Sequence, residues 1–296
     1  MKHERSFDAI RLEQRGIHAR DAGHHAEAET HFAQAVAHDP ARPLSWLGLA
    51  LSQIDLKRPE AAVASLRRAQ ELSPQSGVVA HLLDSLSGHT SSRAPDIYVS
   101  WLFNTYAEGF DAHLTRLGYQ GPAMLHRLAI RAGWTANGSH SILDLGCGTG
   151  LSGLPFLSYA ARLDGIDLST SMLEQARRRG AYTELRHGEV HAVLRDLPAG
   201  SRDLVIAADT LIYIGDVADL FRRVAEHLKP GGSFLFTVET GEHGFTLAPT
   251  GRYQHSDDYL QACADGLFDF ADRIEGTIRI EAGRFTPARA YRFTRR

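Results

Sequence analysis

The chain has 296 residues, 43% of them hydrophobic and 23% charged, a balance that suits a folded globular protein of about two domains. Its 32 basic and 35 acidic residues leave a formal net charge of −3, which speaks against a nucleic-acid partner, since such partners call for a basic face. The two cysteines, Cys147 and Cys263, are too few and too far apart for a disulfide framework, and no Cys/His spacing reads as a metal site.

The first thirty residues carry Lys2, His3, Glu4, Arg5, Asp8, Arg11 and Glu13 with no apolar run of signal-peptide type. Nowhere does an apolar stretch approach the roughly twenty residues that span a bilayer. A cytoplasmic protein without a membrane partner is the expectation. Pro40 and Pro74 stand 34 residues apart, and Ala28, Phe32 and Ala35 precede the first at the offsets at which Ala62, Leu66 and Ala69 precede the second. Gly16, Gly23, Trp46 and Leu49 fit the same period. The pattern resembles two tetratricopeptide repeats, each a pair of antiparallel helices. Lys57 stands where a turn glycine is usual, and Ala50 replaces a helix-crossing glycine. Residues 78–86 are helix-periodic and suit a cap on the second repeat. Such arrays bind peptides or proteins, or else pack within their own molecule or a second copy; both readings stay open. The histidines at 24, 25, 31 and 38 read as solvated surface.

Residues 87–95 are rich in turn formers and mark a linker. The expected division is therefore a repeat domain over 1–90 and a second domain over 91–296, the latter opening with a helical lid over 95–132. A helix over Ile97–Leu117 would carry Val99, Leu102, Phe103, Tyr106 and Phe110 on one stripe; Gly121-Pro122 breaks the chain, and a helix follows over 124–131. Beyond it, strands and helices alternate: strands at 142–145, 162–167, 183–187, 204–208 and 234–239, with helices at 152–157, 171–178 and 217–227. Alternation of this kind predicts an α/β fold, a doubly wound and mostly parallel sheet. Two late extended runs, 276–280 and 288–295, suit a hairpin at the sheet edge. The basic run Arg177-Arg178-Arg179 reads as a solvated helix end.

The chemistry concentrates where the first of these strands ends. Asp144-Leu145-Gly146-Cys147-Gly148-Thr149-Gly150 runs an apolar strand into a glycine turn, and Gly165-Ile166-Asp167-Leu168-Ser169 ends the next strand in a carboxylate. A glycine turn lets backbone touch a ligand, and an acid after the second strand suits ribose hydroxyls. With Met172 and Leu228-Lys229-Pro230-Gly231-Gly232, these stretches resemble the signature of class I S-adenosylmethionine-dependent methyltransferases. With the repeats in front, the whole chain resembles the bacterial tetratricopeptide-linked members of that group. Tyr106-Ala107-Glu108-Gly109-Phe110-Asp111-Ala112-His113-Leu114 resembles the group's lid segment.

The resemblance implies a cofactor, S-adenosylmethionine, with S-adenosylhomocysteine as product. It implies that Asp144 helps hold the amino group of the ligand, that Gly146, Cys147 and Gly148 bring main chain against it, and that Asp167 accepts from the ribose hydroxyls. Leu168 and Met172 would pack on the adenine, Glu189 would take the adenine amino group, and Val190 and Ala208 complete the cofactor set. Asp209, directly after the fourth strand, would face the transferred methyl, contact the cofactor or cap the next helix. Asp209, Tyr106 and His255 are the catalytic candidates; Phe103, Phe110, Tyr213, His243 and Arg252 are the acceptor-binding ones. Gly148-Thr149-Gly150-Leu151-Ser152-Gly153 also satisfies the dinucleotide fingerprint, but it begins two residues beyond the strand end, which disfavours a nicotinamide-linked dehydrogenase. The run Ala208-Asp209-Thr210-Leu211 lacks the prolines usual in methyltransferases of nucleic-acid base amines. The expected activity is in-line methyl transfer to a small-molecule acceptor under the lid. The alternatives are a protein or peptide methyltransferase that recruits its substrate through the repeats, and a non-catalytic partner-binding protein that retains the nucleoside fold.

Overall fold

The computed structural model describes residues 2–281 and 283–296. They divide into two compact units, one comprising the residues up to Thr90 with Ala248–Gly251, the other Ser91–Leu247 with Arg252–Arg296.

The first unit is built from α1 (Lys2–Asp21), α2 (His25–His38), α3 (Pro43–Asp55), α4 (Pro59–Leu72) and α5 (Gly77–Ser87). Proline opens α3 and α4, where its missing N–H costs no hydrogen bond. The repeated positions Ala28, Phe32, Ala35, Ala62, Leu66 and Ala69 are all buried. Phe32 explains two glycines: a Cβ on Gly16 would lie 2.8 Å from its ring, and one on Gly48 only 2.2 Å away. Close helix crossing thus rests on Gly48, while Ala50 is an ordinary core residue. Lys57 adopts φ +59, so it does the work of the turn glycine it replaces. Ser76 caps α5 by accepting from the Val79 N–H, and Gly88 ends that helix at φ +71.

The second unit opens with α6 (Asp96–Tyr106), α7 (Phe110–Arg116) and α8 (Gly121–Arg131). There follow β1 (His140–Leu145), β2 (Ala160–Asp167), α9 (Thr170–Arg179), β3 (Glu184–His187), α10 (Val190–Arg195), β4 (Arg202–Ala207), α11 (Ala218–His227) and β5 (Leu228–Thr240). Last come β6 (Phe245–Leu247), β7 (Tyr253–His255), α12 (Asp257–Ala264), β8 (Phe268–Glu281) and β9 (Arg284–Arg295). The strands run β3-β2-β1-β4-β5, all parallel; β9 lies antiparallel along β5, and β8 folds back on β9. The sheet is therefore the doubly wound, mostly parallel one expected, and chain order reverses between β1 and β4, the place where such sheets bind ligands. One core layer gathers Leu145, Val205, Phe221, Phe234, Phe236 and Phe293; another gathers Leu125, Leu128, Ile142, Phe156, Leu163 and Ile206.

Several elements depart from the sequence expectation. The helix anticipated over 152–157 is only a 3-10 turn, Leu154–Phe156, because Pro155 lacks the N–H a helix needs. The single helix anticipated over 97–117 breaks at Gly109, φ +79, into α6 and α7. Tyr98, outside the expected stripe, is the buried residue of α6, while Tyr106 is exposed. α8 buries Met124, Leu125, Leu128 and Ala129, so this part of the anticipated lid is core. The late hairpin forms at the sheet edge as expected, with β9 antiparallel along β5 and β8 outermost.

Candidate active site

The corner after β1 is organised by Asp167. Its Oδ2 accepts from the Gly148 N–H and its Oδ1 from the Ser169 N–H, both at 2.8 Å, which ties the glycine turn to the end of β2. Burial raises the Asp167 carboxyl, against the pull of these backbone donors. Ser169 then caps α9, accepting from the Met172 N–H at 3.1 Å. Gly146, Gly148 and Gly150 all have positive φ, but their surroundings differ. A Cβ at Gly146 would sit 2.4 Å from Thr210 Oγ1, so this glycine serves packing. A Cβ at Gly148 would meet nothing within 4 Å, which leaves that stretch of main chain open to a ligand.

Asp144 is fully buried beneath the turn. Ser152 Oγ and Tyr182 OH each donate to its Oδ2 at 2.6 Å, while Oδ1 has no hydrogen-bond partner. Burial outweighs the two donors and pushes the carboxyl up to about 7. A buried, undonated carboxylate oxygen costs about 1–3 kcal/mol, so an ammonium or hydroxyl brought by a ligand would be welcome there. The orphan oxygen and the open Gly148 fit the amino-acid arm and ribose of S-adenosylmethionine. Cys147 is buried with Sγ toward Gly165, and burial raises its thiol. Met172 is buried within α9. The Leu168 carbonyl lies 3.0 Å from His187 Nε2.

Glu189 does a local job that spacing did not reveal. It caps α10, accepting from the His191 and Ala192 N–H groups at 3.1 and 3.0 Å, and contacts His191 Nδ1 at 2.6 Å. These donors overcome burial and hold its carboxyl down at about 2. Val190 is the first residue of that helix and Ala208 packs beside the core.

Asp209 follows β4 at φ +56, an unusual conformation for a side chain with a Cβ. It is held by Thr237, whose Oγ1 accepts from the Asp209 N–H at 2.8 Å, and by Arg279, whose Nη1 donates to Oδ2 at 2.8 Å. Burial raises the carboxyl although Arg279 opposes it. Arg279 also pairs with Glu239 and Glu281, and Arg252 stands 2.8 Å from Glu239 and donates to Glu281 at 2.5 Å. Arg252 is therefore committed to carboxylates. His255 is fully buried, its Nε2 at 2.9 and 3.0 Å from the carbonyls of Ile214 and Gly215, and burial lowers its imidazole to about 4. His243 lies in an exposed turn. Phe103 sits edge-on between Phe110 and Tyr213, with centroids 6.0 and 5.3 Å away.

Two polar latches fasten α6 and α7 onto the corner. Asn104 Oδ1 accepts from Ser169 Oγ at 2.7 Å; Asp111 accepts from Thr149 Oγ1 at 2.5 Å and pairs with Arg179, whose Nε donates to the Thr149 carbonyl at 2.8 Å. Arg179 is thus engaged rather than solvated. Asn104, Tyr182 and Arg279 carry no motif, and only their placement by the fold draws attention to them; Asp111 belongs to the lid segment and Arg179 to the basic run, but neither pattern shows that the two pair.

The sequence profile of a methyltransferase domain matches residues 142–232, and that of a tetratricopeptide repeat matches residues 14–77. The chain is similar to ubiquinone biosynthesis O-methyltransferases: 30% identical to that of Marinobacter nauticus over 129 residues, 38% of this chain and 54% of the relative. The same enzyme of Bordetella pertussis is 28% identical over 146 residues, 43% of this chain and 61% of the relative. The chain thus spans little more than half the length of these curated relatives. In fold it is similar to magnesium protoporphyrin IX methyltransferase of Synechocystis, solved with bound S-adenosylhomocysteine, at a TM-score of 0.52 and 19% identity, over 68% of this chain and 99% of that one. It is likewise similar to 1,6-didemethyltoxoflavin-N1-methyltransferase of Burkholderia thailandensis, at a TM-score of 0.53 and 15% identity, over 70% and 92%. The chain thus carries a tetratricopeptide-repeat match over residues 14–77 followed by a methyltransferase-domain match over residues 142–232.

Proposed function

We propose that this chain transfers a methyl group from S-adenosylmethionine to a hydroxyl of a small-molecule acceptor, in a pocket closed by α6 and α7. The observation that carries the reading is the buried corner itself, where Asp144 keeps an oxygen without a donor and the main chain of Gly148 is open. The names of the curated relatives favour oxygen as the attacked atom.

When bound, S-adenosylmethionine supplies a methyl group already activated by its sulfonium; the protein supplies orientation and a dry site. Asp144 receives the ammonium, Asp167 the ribose hydroxyls through its remaining lone pairs, and Gly148 lets the main chain approach. Leu168, Glu189 and Val190 surround the adenine, whereas the buried Met172 acts by fixing α9. Cys147 contributes its backbone, and Gly146 and Ala208 hold the shape of the turn and of the end of β4. Holding donor and acceptor in line is worth about 7–11 kcal/mol of the barrier. Asp209 takes the acceptor proton: burial strengthens it as a base, and Arg279 holds it in place. Phe103, Tyr106, Phe110 and Tyr213 face the acceptor. His255 and Arg252 are not given catalytic or acceptor-binding roles, because backbone carbonyls and carboxylates already occupy them.

Calorimetric titration with S-adenosylmethionine, S-adenosylhomocysteine and NAD tests the proposal on wild type and Asp167→Ala. Both adenosyl ligands are expected to bind, weakened by about 2–4 kcal/mol in the variant through lost charge-assisted bonds. Tight NAD binding without response to S-adenosylhomocysteine would overturn it.

A further inference from the structure

Tyr182 lies between α9 and β3 and belongs to none of the motifs, yet the corner is built around it. A Cβ at Gly150 would stand 2.9 Å from its ring, one at Gly165 3.0 Å from its ring, and one at Gly153 2.5 Å from its hydroxyl. Gly153 and Gly165 are not in the positive-φ region, so glycine is needed there for room and not for conformation. The space opened by these glycines carries one phenol hydroxyl to a buried carboxylate. Packing alone would be met by phenylalanine. The hydroxyl donates to Asp144 Oδ2, the same oxygen that Ser152 uses, and Oδ1 is left bare. Two donors on one oxygen and none on the other is a poor arrangement for a carboxylate that only holds the fold together. It suits one that must present a chosen oxygen.

We propose that Tyr182, together with Ser152, is a positioning residue: the two hydroxyls clamp Asp144 by Oδ2 and turn Oδ1 to the ammonium of the amino-acid arm of S-adenosylmethionine. The inference rests on the cofactor reading above and adds to it the device that aims the carboxylate. Among the described residues, the titratable groups that act on Asp144 include Tyr182, Cys147, Asp167 and Tyr119, none of them cationic. Among the described residues no cation pairs with Asp144 Oδ1, and an incoming ammonium is the natural partner. Burial keeps the Tyr182 phenol protonated, so it remains a donor when Asp144 is ionised.

The test compares S-adenosylhomocysteine, which has the amino-acid arm, with 5′-methylthioadenosine, which lacks it. Both are titrated into the full chain on either side of pH 7. For wild type, S-adenosylhomocysteine should bind more weakly as pH falls through about 7, where Asp144 takes up a proton, and methylthioadenosine should not follow that profile. Tyr182→Phe keeps the ring and removes one donor. It should weaken S-adenosylhomocysteine about tenfold, move the inflection to higher pH, and leave methylthioadenosine unchanged. Ser152→Ala removes the other donor without touching the ring, and should move the inflection the same way; it decides the matter if Tyr182→Phe does not fold. Equal weakening of both ligands, or unchanged binding with an unmoved inflection, would overturn the proposal. Wild type that binds neither ligand would overturn the cofactor reading first.

Discussion

Gly146 and Gly148 share a left-handed backbone and differ in what a side chain there would touch. Gly148→Ala should cost only the strain of that conformation, about 1–2 kcal/mol, yet abolish binding of S-adenosylhomocysteine. Gly146→Ala adds a clash with Thr210 and should be the less stable protein; urea unfolding with parallel calorimetry separates the two effects. Arg279 is the buried hub among Asp209, Glu239 and Glu281, and Arg279→Ala would leave carboxylates facing one another. A loss of about 3–5 kcal/mol in unfolding free energy is expected. His255 has a pH signature of its own. Its folded pKa of about 4 lies below the ordinary 6.5, so the unfolded chain binds the extra proton first. Stability from this group is full above 6.5 and drains away as pH falls toward 4, by about 3 kcal/mol in all. His255→Gln should flatten that limb of a pH series of urea unfolding curves.

At the scale of elements, the glycine corner was plain in the sequence because φ-demanding turns and strand-end acids are local features. The repeats were plain because their period recurs. What stayed hidden was long-range. Arg179 looked like a solvated helix end until Asp111, 68 residues away, came to meet it. Arg279 sat in an unremarkable strand until β8 brought it to Asp209. Glu189 matched a family position by spacing, and its use as a cap for α10 appears only with the helix in place. His255 looked like a loop histidine because the short β7 gave no periodic signal. The latches make a prediction at this scale. Asp111→Ala should raise amide exchange in α7 and along α6 while the buried α8 stays protected, and should speed the release of S-adenosylhomocysteine. Equal exchange in the variant and wild type would show that the two helices do not depend on this pair.

For the whole molecule, every residue given a role in methyl transfer belongs to the second unit. A chain of residues 91–296 that folds should therefore keep its affinity for S-adenosylhomocysteine and its turnover of a small acceptor. Turnover lost on a peptide acceptor alone would assign the repeats to substrate recruitment. The placement of β9 has a consequence in time. Residues Ser233–Glu239 of β5 pair with Ala288–Thr294, so the flank of the central sheet waits for a strand synthesised well after β5 itself. During translation the nucleoside corner is already complete in sequence while a bare strand edge bearing Phe234, Phe236 and Val238 has no neighbour. A nascent chain stalled before Arg284 would carry all the glycines of the cofactor loop and still be an aggregation hazard, because the strand that covers the β5 edge has not yet been made.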